Sequence, residues 1–95
     1  MSERQACCVP FCRRTHKPDG HEAWICGPHW RGTPARAKAV VRKAARAYRR
    51  RFGNNAPWDY PAGSPDRLAA VEAYHAWRDA WEACKAAAIE AAAGL

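Results

Sequence analysis

Three cysteines lie within six residues near the start of the chain, and a fourth cysteine precedes a histidine by three positions. The first group is Cys7, Cys8 and Cys12, and the second is the pair Cys26 and His29 in the stretch CGPH. Thiolate and imidazole are ligands that zinc prefers, and two short clusters separated by a loop commonly supply them. The 13 residues between Cys12 and Cys26 suit such a loop. The spacing therefore predicts one structural Zn²⁺ per chain, held by four side chains with no open position.

The first cluster holds more thiols than one site needs. Cys7 and Cys8 both have a spacing to Cys12 that suits a metal-binding turn, so the spacing leaves the choice between them open. His16 and His21 are substitute ligands, although neither lies at a knuckle spacing. The alternative to a metal site is a set of reduced or buried thiols. A metal site is favoured because a second donor pair follows at a suitable distance.

The expected redox compartment bears on the same choice. The first residues, MSERQA, contain no apolar segment, so we expect no secretory signal. The longest apolar run, residues 86–89, is too short to span a membrane. These features predict a cytoplasmic protein whose thiols stay reduced. The odd number of five cysteines also disfavours a complete set of disulfides.

The charge of the chain is divided unevenly between its two halves. Residues 1–53 carry 13 Lys and Arg against three acidic residues, a net charge of +10, whereas residues 54–95 have a net charge of −3. No acidic residue lies between Arg31 and Asn55. This asymmetry predicts that the first half faces a polyanion.

Residues 33–53 have the pattern of a basic amphipathic helix. We expect Thr33 to cap its start, Pro34 to occupy the first helical position and Gly53 to end it. Apolar side chains recur with the helical period on one face, and basic side chains fill the other. The predicted apolar face consists of Ala37, Val40, Val41, Ala44, Ala45, Tyr48 and Phe52. The basic residues predicted to contact a partner are Arg36, Arg42, Lys43, Arg46, Arg49 and Arg50.

Residues 54–63 are rich in Asn, Pro and Gly and predict a loop, whose Trp58 and Tyr60 we expect to fold back on the helices. Ser64 and Pro65 predict the start of a second helix, because they repeat the pattern of a cap followed by proline. This helix, residues 64–95, carries an apolar stripe at spacings of three and four. The stripe consists of Tyr74, Trp77, Trp81, Cys84 and Ala88, with Leu68 and Val71 beside its start.

We expect the stripe to pack against the apolar face of the basic helix, so that the two helices form an antiparallel hairpin. The alternative is a homodimer through Trp77 and Trp81, because the second helix exceeds the first in length. The predicted fold class is mainly α, in one compact domain. An N-terminal zinc knuckle over residues 1–32, for which a treble-clef-like form is one alternative, precedes the helical hairpin. We expect this knuckle to consist of turns and one short β-hairpin, with a turn at Asp19 and Gly20.

The pattern C-x-V-P-x-C, followed by C-x2-H-W-R-x2-P, resembles small zinc-knuckle proteins of bacteriophages and prophages. The likeness covers residues 7–41, and the later stretch S-P-D-R-L-x2-V-x2-Y is only loosely similar to the second helix of that group. The resemblance implies a phage origin and hence a location in the host cytoplasm, but little about function, because most members have none assigned. Aligned on Val9 and Pro10, it implies Cys7 rather than Cys8 as the first ligand, with Cys8 as an additional thiol.

The one-sided basic helix predicts contact with the phosphate backbone of nucleic acid. A membrane surface is disfavoured because the apolar face is mostly alanine, and a merely solvated face remains an alternative. A second functional hypothesis is a phage-encoded inhibitor that binds an acidic surface of a host complex, such as an anti-CRISPR or another anti-defence factor.

The sequence does not predict an enzyme. The zinc knuckle invites comparison with HNH nucleases, but His16, His21 and His75 do not form the catalytic pattern that those nucleases need. Neither a glycine-rich phosphate loop nor a nucleophile elbow occurs in the sequence. A non-enzymatic accessory protein is therefore the predicted class.

Overall fold

The computed structural model describes residues 3–20 and 23–94. Within them the chain is mainly helical, as the sequence predicts, and a small two-stranded sheet accompanies the helices. The strands are β1 (Gln5–Ala6) and β2 (Thr15–His16). The helices are α1 (Gly27–Gly32), α2 (Ala35–Phe52) and α3 (Pro65–Ala92), and a 3-10 turn at Pro57–Asp59 lies between α2 and α3.

The predicted short hairpin is present, and its connection is the first cysteine cluster. β1 and β2 pair in antiparallel register, so residues 7–14 join them. The N–H of Cys7 donates to the carbonyl of Arg14 at 3.0 Å and prolongs the pairing into this connection. Gly20 has a φ of +89°, which is typical of a glycine in a turn, but it lies after β2 and outside the hairpin.

The helix α1 was not predicted, because its six residues are too few to show a helical period. Pro28 lies in its first turn, where a missing N–H leaves no helical bond unmade. The expected role of Thr33 as a cap for the basic helix is wrong. Its N–H donates to the carbonyl of Trp30 at 3.1 Å and its hydroxyl donates to the carbonyl of His29 at 2.7 Å, so this residue closes α1. The helix α2 begins two residues later, at Ala35.

Only the C-terminal half of the predicted apolar face of α2 is buried. Tyr48 and Phe52 pack with Ala70 of α3, and the Tyr48 ring lies 5.7 Å from the ring of Trp77. Val40, which the pattern placed in the core, is 51% exposed, so that expectation is wrong. The aromatic rings have the largest area to bury and gather near the end of α2, whereas the alanine-rich start of the helix offers little apolar surface.

The helix α3 begins at the residue that the cap-then-proline pattern predicts. The Ser64 hydroxyl accepts a hydrogen bond from the N–H of Arg67 at 3.2 Å, and Pro65 is the first helical residue. The predicted stripe is not uniformly buried, because Tyr74 is 37% exposed while Cys84 is fully buried. The start of α3 is therefore determined locally, and the burial along it is not.

The two aromatic residues of the loop before α3 behave differently. Tyr60 folds back as expected, with its ring 6.0 Å from the ring of Phe52 in an edge-on arrangement. Trp58 is not buried against the helices, because 68% of its surface stays exposed. Tyr48 also anchors this loop, since its hydroxyl donates to the carbonyl of Asn55. Burial raises the pKa of Tyr48, so this hydroxyl stays a donor at neutral pH.

The contacts divide the chain into two compact units. The cysteine unit consists of the described residues up to Pro34 together with the end of α3 from Cys84, and the aromatic unit consists of residues 35–83. The core of the cysteine unit is formed by Cys7, Val9 and Cys26, with Ile89 packed against it. The core of the aromatic unit is formed by Tyr48, Phe52 and Ala70, with Tyr60 and Trp77 packed against it.

Candidate metal centre

Two local structures present the four predicted metal ligands. Cys7 directly follows β1, and Cys12 ends a turn in which its N–H donates to the carbonyl of Val9 at 3.2 Å. Cys26 is the residue that precedes α1, and His29 lies in the first turn of that helix. A hairpin loop and a helix start therefore supply one ligand pair each, as two knuckles of a structural zinc site do.

The ligand atoms of Cys7, Cys12, Cys26 and His29 all lie within 4.8 Å of one another. A tetrahedral zinc with Zn–S bonds of about 2.3 Å separates its sulfur ligands by about 3.8 Å. The observed distance between the Cys12 and Cys26 sulfur atoms is 3.9 Å. Nδ1 of His29 lies 3.6 Å from the Cys7 sulfur and 3.2 Å from the Cys26 sulfur. This donor set and its spacing fit one tetrahedral metal ion.

The surroundings of Cys7 favour its thiolate form. Burial alone would raise the pKa of this thiol, but hydrogen bonds from the backbone N–H groups of Cys26 and Val9, together with those of the His29 and Cys26 side chains, lower the pKa to about 7. The N–H of Cys26 donates to the Cys7 sulfur at 3.3 Å. A metal ligand must be a thiolate, so these donors prepare Cys7 for coordination.

Cys26 lies in the opposite situation. It is 1% exposed, and burial raises the pKa of its thiol. The neighbouring Cys7 and Cys12 side chains raise the pKa of Cys26 further. Three thiolates within this distance would repel one another strongly without a cation between them. A positive ion at the centre of the cluster would therefore offset this repulsion.

Cys8, the alternative to Cys7, does not join this cluster. Among the described residues, the group within metal-binding distance contains Cys7 and not Cys8. Cys8 is half-buried, and its pKa is raised by burial and by the nearby charge of Cys7. Its N–H donates to the carbonyl of Trp24 at 2.8 Å, which holds the backbone beside the cluster.

Of the two histidines predicted as substitute ligands, His16 lies among the described residues. The ring of His16 stacks on the ring of Trp24 at 4.0 Å, and its Nε2 lies 2.7 Å from Oε1 of Gln5. Trp24 in turn packs against the core of the cysteine unit. His16 thus helps to cover the cluster without joining it. His21 lies outside the described residues.

The predicted contact residues of the basic helix are all exposed on α2. They are Arg36, Arg42, Lys43, Arg46, Arg49 and Arg50. The guanidinium of Arg49 lies over the ring of Trp77, 5.3 Å from the ring centroid. This contact holds the side chain against an aromatic surface in a geometry that allows cation–π attraction.

Sequence reasoning missed the surroundings of Arg49. An open groove is lined by Tyr48, Arg49, Trp58, Tyr74 and Trp77, all of the aromatic unit. The sequence offered one signal, a tryptophan beside Pro57 in an otherwise small and polar loop. The expectation that Trp58 packs on the helices gave no sign that most of its surface would be presented to solvent.

The metal cluster rests on its geometry and donor chemistry, because comparison with known proteins adds nothing to it. Among the described residues, α1, α2 and α3 include no helix long and apolar enough to cross a membrane. The resemblance of residues 7–41 to phage zinc-knuckle proteins stays a prediction. No protein-family model matches the chain, and no curated protein or solved structure gives a significant match to it.

Proposed function

We propose that this chain is a small, zinc-stabilised, non-enzymatic protein that binds nucleic acid through the basic face of α2. The observation that carries the proposal is a helix whose basic side chains are exposed and lie in a stretch free of acidic residues. In this proposal α2 and α3 form the antiparallel hairpin expected from the sequence, and the protein is phage-encoded.

Zinc is the metal that the cluster suits best. Three sulfur donors and one imidazole nitrogen match the Cys₃His class of structural zinc sites. Four protein ligands fill the tetrahedron, so the ion has no open position for a substrate or a water nucleophile. Its role is therefore to hold the hairpin loop and α1 together. This closed coordination is the reason for proposing a structural rather than a catalytic ion.

The face of α2 has the properties of a phosphate-contacting surface. Arg and Lys side chains that approach phosphates release bound counterions, which supplies affinity without sequence preference. For duplex DNA, each phosphate contact makes the slope of log affinity against log salt more negative by about 0.9. A surface with six such side chains should therefore give a slope of about −3 to −5, depending on how many of them reach phosphates at once.

The test is a titration of the zinc-loaded protein with duplex and single-stranded DNA of mixed sequence at two salt concentrations. Micromolar binding that weakens steeply with salt is the expected result. Arg46→Glu should weaken binding and reduce the salt slope by about one unit or more. Arg78→Glu is the matched control, since Arg78 is exposed on α3 and the charge change is the same.

Two results would overturn the proposal. One is no binding at low salt by a protein that native mass spectrometry shows to carry one zinc. The other is an equal effect of the Arg46 and Arg78 substitutions, since affinity would then follow net charge rather than the face of α2. Absence of DNA binding would redirect attention to the second hypothesis, a protein inhibitor of a host complex with an acidic docking surface.

A further inference from the structure

The groove of the aromatic unit is a second candidate binding site, in addition to the metal centre. It is lined by Tyr48, Arg49, Trp58, Tyr74 and Trp77 and by residues 53–57, and its volume is about 260 Å³. Sites for whole small molecules usually enclose about 300–1,000 Å³. The groove is therefore of a size for one planar ring of a larger ligand.

Trp58 is held in place by its turn, although its side chain does not pack in the core. Its ring is 68% exposed, whereas Pro57 beside it is buried. The turn that carries it is closed by three hydrogen bonds. The carboxylate of Asp59 accepts from the N–H of Ala56 at 2.8 Å, the N–H of Asp59 donates to the carbonyl of Ala56 at 3.0 Å, and the N–H of Tyr60 donates to the carbonyl of Pro57 at 3.3 Å. A rigid turn therefore presents an exposed aromatic face, which lowers the entropic cost of binding to it.

The lining of the groove also includes a cationic side chain. The guanidinium of Arg49 lies 5.3 Å from the centroid of the Trp77 ring, so a positive charge and an aromatic plane occur together. Arg46 and Arg50 are exposed on the same helix. This positive charge disfavours cationic ligands. Aromatic grooves also bind uncharged proline-rich peptides, but the charge favours a polyanion over such a peptide.

We propose that the Trp58 groove stacks an unpaired base of a single-stranded nucleic acid whose phosphates continue onto the basic face of α2. This inference rests on the proposed function and adds to it a preference for single strands. Sites for single strands combine a basic track with aromatic platforms, because every unpaired base exposes a π-face while a duplex hides those faces. The groove supplies the platform, and Arg49 with its helical neighbours supplies the track.

The experiment measures the binding of a short labelled oligothymidylate and of a DNA duplex of equal length, by fluorescence anisotropy at one low salt concentration. Trp58→Ala should weaken binding of the single strand about tenfold and leave duplex binding unchanged. Trp58→Phe should retain most of the affinity, because a smaller aromatic face remains. Leu68→Ala is the control, since Leu68 is 65% exposed in the same unit and should change neither affinity.

The outcomes separate the groove from the basic face. If Trp58→Ala binds the single strand like the wild type while Arg46→Glu weakens both ligands, the groove proposal is overturned and the proposed function stands. If Trp58→Ala weakens both ligands equally, or if Trp58→Phe loses as much as Trp58→Ala, stacking of an unpaired base is overturned. If the wild type binds neither ligand, both proposals fall together.

Discussion

The cysteine unit buries sulfur, whereas the aromatic unit buries rings. In the first unit the buried residues that cluster together are Cys7, Val9 and Cys26. In the second they are Tyr48, Phe52 and Ala70. A buried aromatic side chain removes about 150–250 Å² from water, far more than a cysteine or a valine can. The two units therefore depend on different sources of stability.

The difference indicates what each unit needs in order to fold. Apolar burial supplies about 25 cal/mol per Å², so the aromatic unit can draw on its rings. The cysteine unit has a small apolar core, and structural zinc binding contributes about 10–16 kcal/mol in peptides of similar kind. Metal removal should thus affect the cysteine unit, and loss of an aromatic ring should affect the other.

Removing the metal should have the largest effect. A strong zinc chelator should abolish the protection of backbone amides in residues 5–20 and 23–34, because the small apolar core of this unit offsets little of the entropy of ordering that segment. Amides around Tyr48 and Ala70 should keep their protection. Hydrogen exchange followed by mass spectrometry measures both regions in one sample. Re-addition of zinc is the control, and simultaneous loss of protection in both units would contradict the comparison.

Single Cys→Ser substitutions should show which thiols of the cysteine unit bind the metal. Cys7→Ser should lower zinc affinity by more than about 100-fold, since even outer-shell changes cost 10–100-fold. Cys8→Ser should leave one zinc per chain, because Cys8 lies outside the four-residue group. Native mass spectrometry and chelator competition provide the measurement. The reverse result would assign the first ligand to Cys8.

Truncating a buried ring should destabilise the aromatic unit. Phe52 is 5% exposed and contacts the Tyr48 and Tyr60 rings, so Phe52→Ala should cost about 3–5 kcal/mol of unfolding free energy. Chemical denaturation followed by circular dichroism measures this loss. Leu68→Ala, at an exposed position, should change stability by less than about 0.5 kcal/mol. Loss of zinc from Phe52→Ala would contradict the separate sources of stability.

The smallest expected effect concerns the turn between two metal ligands. Phe11 has a φ of +66° and is fully exposed, so its side chain gains no burial in a conformation that favours glycine. Phe11→Gly should stabilise the zinc-loaded cysteine unit by about 0.5–1 kcal/mol. Zinc affinity by chelator competition reports the change. Phe11→Ala is the matched control, because it keeps the Cβ and should bring no such gain.

Much of the candidate site could be predicted from local patterns. Cys12, Cys26 and His29 were identifiable because donor type and spacing are properties of the chain itself. The start of α3 at Pro65 followed from a cap and a proline, which act within one turn. The helix α1 escaped prediction because one and a half turns leave no periodic signal, and its presence altered the expected role of Thr33.

Burial of the larger side chains could not be predicted in the same way. Trp58 and Tyr60 lie two residues apart in one loop, yet Tyr60 packs on Phe52 and Trp58 is presented to solvent. Val40 and Tyr48 both belong to the apolar face of α2, yet only Tyr48 is buried. Burial of a side chain depends on which other element packs against its helix or loop. Sequence periodicity identifies the apolar face of an element but not the surface that covers it.

The amino-acid sequence by itself determined the kinds of donor atoms, their separation along the chain and the basic face of α2, because these depend on residue type and helical period alone. Tertiary structure decided which adjacent thiol belongs to the cluster. The N–H of Cys7 pairs with Arg14 and the N–H of Cys8 with Trp24, so contacts distant in sequence orient the two side chains. Adjacent residues in an extended segment point to opposite sides, and only this pairing determines which side faces Cys26 and His29.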